Sequence, residues 1–116
     1  MKFVHLLVIN LDEIRKIIED DLTYLKEIID SNELFPAHLL DSMTHDFFTN
    51  PNSTDIWLTK EIDTIPVALA YCAPERMTEG TYNLYLIAIS KQLQGKGIGT
   101  ELISYIEKLK ELAEQV

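Results

Sequence analysis

Apolar positions along the chain follow several rhythms, and each predicts an element. Phe3 to Ile9 is a short apolar run that reads as a strand. Asn10 then suits a helix N-cap, with Glu13 three residues on as its capping-box partner. Leu11, Ile14, Ile17, Ile18, Leu22, Leu25, Ile28 and Ile29 recur at the spacing of an amphipathic helix or a broken pair of helices. Ser31 and Asn32 interrupt that pattern, and Pro36 suits the first turn of a new helix bearing Leu39, Leu40, Met43, Phe47 and Phe48. Asn50-Pro51-Asn52-Ser53 ends it.

From Asp55 the period becomes two. Ile56, Leu58 and Ile62 alternate with Trp57, Thr59 and Glu61, and Asp63-Thr64 turns the chain into Ile65 to Cys72, predicting a β-hairpin. A polar loop from Pro74 to Gly80 leads to Tyr82–Ile89, apolar on both alternating faces, which predicts a strand central in the sheet. Ile98, Leu102, Ile103, Ile106, Leu109, Leu112, Ala113 and Val116 mark a last amphipathic helix. The order β-α-α-β-β-β-α predicts an α/β (α+β) domain. With no internal repeat, low-complexity segment or linker, residues 1–116 read as one domain.

Charge narrows the function classes. Nineteen acids against ten bases give a net charge of −9, which disfavours phosphate backbones and anionic lipid surfaces. No nucleic-acid or membrane partner is expected. Thirteen acids and five bases fall in residues 1–63, against six and five in 64–116. An anionic ligand is therefore favoured in the second half, and the acidic first half suits a cationic amine. The lone Cys72 excludes an intrachain disulfide and fits a reducing, cytoplasmic compartment. Lys2 and the run after it lack the cleavage site of a secretory signal, and Ile65 to Pro74 is too short to cross a bilayer.

The chemically informative segment is Ser90-Lys91-Gln92-Leu93-Gln94-Gly95-Lys96-Gly97-Ile98-Gly99-Thr100, between the apolar strand and the last helix. Glycines let a backbone approach a ligand closely, and free amides at a helix N-terminus bind anions. Lys91 and Lys96 add positive charge. The nucleotide P-loop pattern fails, because Gly95-Lys96 is followed by Gly97 and Ser90 stands where the first glycine belongs. The dinucleotide fingerprint fails at Thr100, and no later strand offers a ribose-binding acid.

Gln94-Gly95-Lys96-Gly97-Ile98-Gly99 does match the Gln/Arg-x-x-Gly-x-Gly/Ala signature of the GCN5-related N-acetyltransferases, and the chain resembles that family. Tyr82–Ile89 looks like the family's fourth strand, and the hairpin from Asp55 to Cys72 like its second and third. The resemblance covers residues 55–112, while the amino-terminal helices match in order and length only. It implies a GNAT-like, mixed but mainly antiparallel sheet with flanking helices. It also implies acetyl-CoA as cosubstrate, with the amides of Gln94, Gly95, Lys96, Gly97, Ile98, Gly99 and Thr100 on the pyrophosphate. Leu86, Ile87, Ala88 and Ile89 would pair with the pantetheine arm, and an N–H near Ile89 would polarise the thioester carbonyl.

The implied activity is acyl transfer, an acetyltransferase moving acetyl to a primary amine by direct attack on the thioester. Glu79, in the loop before the strand, and Tyr85, on it, are the candidate catalytic residues, beside Glu75 and Asn83. A solvated loop accounts for either glutamate without a catalytic role. The family's fifth strand, the following helix with its tyrosine acid and the last two strands have no counterpart here, so the chain reads as a truncated domain. The apolar strand would then lie on an open edge, and a homodimer or other edge-strand pairing is expected. The alternative reading is a non-catalytic CoA-binding or oligomerising module. Small amines, peptide N-termini and lysine side chains all remain open as acceptors.

Other constellations are weaker. His38, Asp41 and His45 share one face of the second predicted helix, but a polar face opposite Leu39, Leu40, Met43 and Phe47 explains them, and no metal is assigned. His5 reads as a histidine within its strand, Asp20-Asp21 as a solvated helix face and Cys72 as a small core residue.

Overall fold

The computed structural model describes residues 13–75 and 81–114. In chain order these form β1 (Glu13–Lys16), a 3-10 turn (Glu19–Asp21), α1 (Leu22–Ser31), α2 (Leu39–Thr49), β2 (Ile56–Ile62), β3 (Ile65–Pro74), β4 (Tyr82–Ile89), a second 3-10 turn (Lys91–Leu93) and α3 (Ile98–Glu114). The four strands make one antiparallel sheet in the order β1-β2-β3-β4. The fold is mixed α+β, as the order of patterns predicts. The predicted strand Phe3–Ile9, with His5, and the cap at Asn10 lie outside the described residues.

The first helix begins later than its periodicity suggests. Glu13 to Lys16 are a strand paired with β2, Arg15 opposite Thr59, and Ile17 N–H extends the ladder to Trp57 O at 3.1 Å. Glu13 is therefore no capping-box residue. The reason is tertiary: Arg15 donates two hydrogen bonds to Asp21, at 2.8 and 2.9 Å, and one to Glu61 at 3.0 Å. A helix through these residues would forfeit both ion pairs. Asp21 is buried rather than on a solvated face, while Asp20 is exposed. Burial alone would raise the Asp21 carboxyl, but hydrogen bonds from Arg15 and the Ile18 amide outweigh it and hold the group below its usual range.

Helix α1 then buries Leu25, Ile28 and Ile29 against Trp57 and Leu69 of the sheet, with Leu40 of α2 in the same core. Each fully buried Leu or Ile contributes about 1.5–3 kcal/mol. The helix ends in a Schellman motif: Leu34 N–H donates to Ile29 O, Glu33 N–H to Asp30 O, and Glu33 takes φ +52°. The opposite face of the sheet presents Leu58, Ala68 and Ala70 to Ile98 and Leu102 of α3. Helices thus cover both faces. The β2–β3 turn at Asp63 and Thr64 has φ +52° and +71°, the pair of positive angles a type I′ turn requires.

Strand β4 is an edge of the described sheet, not its centre. Its apolar look on both faces has another cause. Tyr71 pairs with Leu86 and Cys72 with Leu84, so Tyr85 is an extra, bulged residue. Before the bulge the even positions Tyr82 and Leu84 lie with Cys72 and Ile106 on the α3 side; after it the even positions Leu86 and Ala88 pack on the α1–α2 side. Ile87 and Ile89 then face α3. The bulge inverts the alternation.

Candidate functional site

The end of β4 and the start of α3 are joined by a turn held from three directions. Ser90 N–H donates to Val67 O at 2.8 Å, continuing the ladder onto β3. Gln94 Nε2 donates to Asn32 Oδ1 at 2.7 Å and to Ile89 O at 3.2 Å, while Asn32 Nδ2 donates to Ile28 O and Ile89 O. The last carbonyl of β4 is thereby tied to the end of α1. Gly95 and Gly97 take φ +79° and +86°, which only glycine adopts without strain, and no atom lies within 4 Å of where their Cβ atoms would be. Gly99 sits in ordinary contact range of Ile89 Cδ1, at 3.5 Å from an added Cβ.

The first backbone hydrogen bond of helix α3 runs from Glu101 N–H to Gly97 O at 3.0 Å, so the amides of Ile98, Gly99 and Thr100 have no partner within the helix. They open at the positive end of a 17-residue helix dipole. Lys91 and Lys96 are exposed and form no ion pair with another described residue. Free amides, open space above two left-handed glycines and two uncommitted ammonium groups fit a pyrophosphate. Gln94 plays a different part: its amide donates to Lys91 O, at 3.4 Å, and its side chain is the strut to Asn32.

On the α1–α2 side of β4 lies a cleft of about 980 Å³. Phe35, Met43, Tyr71, Tyr85 and Leu86 give it apolar and aromatic walls, and Asp46 and Asp55 supply its charge. Tyr71 stacks on Trp57 with ring centroids 4.1 Å apart, and Tyr85 lies 5.7 Å from Tyr71, so the bulge carries an aromatic row across β2, β3 and β4. Asp55 is half-buried, and its carboxyl is raised above the ordinary value by burial first and by the Asp46 carboxylate second.

The sequence profile of the acetyltransferase (GNAT) family matches residues 11–115. The chain belongs to that family. No curated protein matches it in sequence. Among solved structures, a protein of Desulfovibrio desulfuricans described as a GNAT-family acetyltransferase superposes with a TM-score of 0.78 at 21% identity, over 89% of this chain and 68% of its own. A GNAT-family acetyltransferase of Brucella melitensis, in complex with acetyl-CoA, gives 0.67 at 18% identity, over 88% and 70%. An aminoglycoside 6′-N-acetyltransferase complexed with coenzyme A gives 0.65 at 18%, over 85% and 55%. At these identities the superpositions establish the GNAT fold.

Within this GNAT domain, Leu86 to Thr100 form one continuous strand-turn-helix unit, as the signature implies. Tyr85 lines the cleft and is 56% exposed; Asn83 Nδ2 reaches its hydroxyl at 3.4 Å and donates to Glu75 Oε2. Glu79 lies outside the described residues. Cys72 is buried, its thiol pushed up by that burial. Asp41 receives Lys26 Nζ at 2.8 Å, and the described residues hold no cluster of three metal-ligating side chains. Asp46 and Asp55 escape sequence reading, because no periodicity marks them; they meet only because the loop after α2 returns the chain to the foot of β2.

Proposed function

We propose that this chain is an N-acetyltransferase that moves acetyl from acetyl-CoA to a primary amine by direct attack on the thioester. The observation that carries the proposal is the strand-bulge-turn-helix unit, in which β4 leads into the unpaired amides of Ile98, Gly99 and Thr100. Acetyl-CoA, when bound, supplies the thioester. Gly95 to Thr100 and Lys96 hold its pyrophosphate, and backbone along Leu86 to Ile89 orients its arm, with an N–H near Ile89 polarising the carbonyl. In this reading Tyr85, on the cleft wall, gives a proton to the leaving thiolate, and Glu79 takes one from the amine. The buried free thiol of Cys72 suits a reducing, cytoplasmic setting, and no described helix is long and apolar enough to cross a membrane.

A second reading has a specific observation behind it. Strand β4 is an edge strand in the described sheet, with Leu84 44% exposed, so a CoA-binding module that assembles through this edge, as a homodimer, is the alternative. Calorimetric titration with acetyl-CoA, followed by an assay of free thiol released with an amine present, tests both. One-to-one binding with amine-dependent release supports the enzyme. Binding without release in any amine supports the module, and no binding by the folded chain overturns both.

A further inference from the structure

The cleft beside β4 has a composition that selects its occupant. Its described lining carries two charged side chains, both carboxylates: Asp46 from the last turn of α2 and Asp55 at the foot of β2. Among the described residues no Lys or Arg lines it. The same lining includes the aromatic pair Tyr71 and Tyr85, with Leu86 and Phe35. At about 980 Å³ it has room for a small molecule.

An occupant must satisfy three conditions. It must carry positive charge, because Asp46 and Asp55 already repel each other and any anion added between them raises that cost. It must present an apolar or aromatic body to Tyr71 and Tyr85. It must lack a carboxylate beside its amine, since no cation in the described lining would neutralise one. A protein lysine offers the charge without an aromatic body, and a free amino acid brings the forbidden carboxylate.

Resting on the acetyl-transfer reading, we infer that the acceptor is an arylalkyl primary amine without a carboxylate, its ammonium held by Asp46 and Asp55 and its ring by Tyr71 and Tyr85. The two carboxylates are specificity-determining groups. In the transfer itself the ammonium gives up one proton, its nitrogen bonds to the acetyl carbon, and the C–S bond breaks with its electron pair leaving on sulfur. A second proton leaves nitrogen as the thiolate gains one. Among the described residues, the titratable groups lining the cleft with Asp55 are Asp46 on α2, Tyr71 on β3 and Tyr85 on β4. Asp55, the more buried of the two acids, holds the ammonium while that charge persists.

Tyramine and tyrosine differ by the carboxylate and make the probe pair. Binding of each to the purified chain is measured by calorimetry, with and without acetyl-CoA, for the unaltered protein and for Asp55→Asn and Asp46→Asn. Tyramine is expected to bind at least about tenfold more tightly than tyrosine, and each substitution to cost tyramine about tenfold, the scale of one partly desolvated charge pair. Acetyl-CoA affinity should stay unchanged in both variants, which also verifies that they fold. Equal affinity for the two probes, no tyramine binding, or tyramine binding indifferent to both substitutions overturns the inference. Tyramine binding with no acetyl-CoA binding leaves the amine site standing and removes the transfer reading instead.

Discussion

Gln94 Nε2 donates to Asn32 Oδ1 at 2.7 Å, so the first residue of the glycine turn is fixed by the residue that caps α1, 62 positions earlier in the chain. Asn32 also holds Ile28 O and Ile89 O. The amino-terminal layer thus sets the position of the proposed pyrophosphate site. Asn32→Ala is expected to cost about 1 kcal/mol of stability through its lost hydrogen bonds. It should weaken acetyl-CoA binding about fivefold or more, as the turn loses its strut, an effect calorimetry would register in a variant that still unfolds cooperatively.

The glycines of the turn are not equivalent. Gly97→Glu puts a side chain at φ +86° and a negative charge beside the proposed phosphates, so acetyl-CoA binding should fall at least about a hundredfold. Gly99→Ala adds a methyl in ordinary contact with Ile89 Cδ1 and should leave folding and binding nearly as they are. Titration of both variants in parallel checks the contrast; unchanged affinity in Gly97→Glu would contradict the assigned turn.

The Arg15 cluster predicts how the fold responds to acid. Because the Asp21 carboxyl is held below its ordinary value, its contribution is complete above that value, about pH 4, and disappears as pH falls through the lowered one. Asp21→Asn should cost about 2–3 kcal/mol at neutral pH, the value of hydrogen bonds to a charged group. It should also flatten the dependence of stability on pH below 4. Denaturant melts at several acidic pH values would show a parallel offset instead if the pair did not matter.

Thr64 stands at φ +71° in the type I′ turn, a conformation unfavourable for a β-branched residue. Thr64→Gly creates the Asp-Gly pair that such turns favour and should stabilise the protein by about 1 kcal/mol. A rise in Tm, with acetyl-CoA affinity unaltered, is the expected result.

The hairpin, α2, the glycine turn and α3 are legible in the sequence because each rests on a local signal. Period-two alternation with Asp63-Thr64, a proline before Leu39 and the Gln94–Gly99 signature need no partner to be read. Residues 13–16 are illegible for the opposite reason. Ile14, Ile17 and Ile18 have helical spacing, but pairing with β2 and the ion pairs of Arg15 with Asp21 and Glu61 decide the outcome. The cleft was half legible: Tyr85 follows from its place on the strand, whereas Asp46 and Asp55 come together only through the tertiary fold.

The bulge at Tyr85 also determines how β4 tolerates change. Substitution sensitivity along a regular strand oscillates with one phase, but here the positions facing α3 are even before Tyr85 and odd after it. A scan of single substitutions across 82–89 should therefore break step at that residue. Deleting Tyr85 would restore the simple rhythm and leave every other side chain of the strand on its present layer, so the loss would fall on the cleft wall rather than on the core. In this strand the extra residue serves the cleft rather than the ladder.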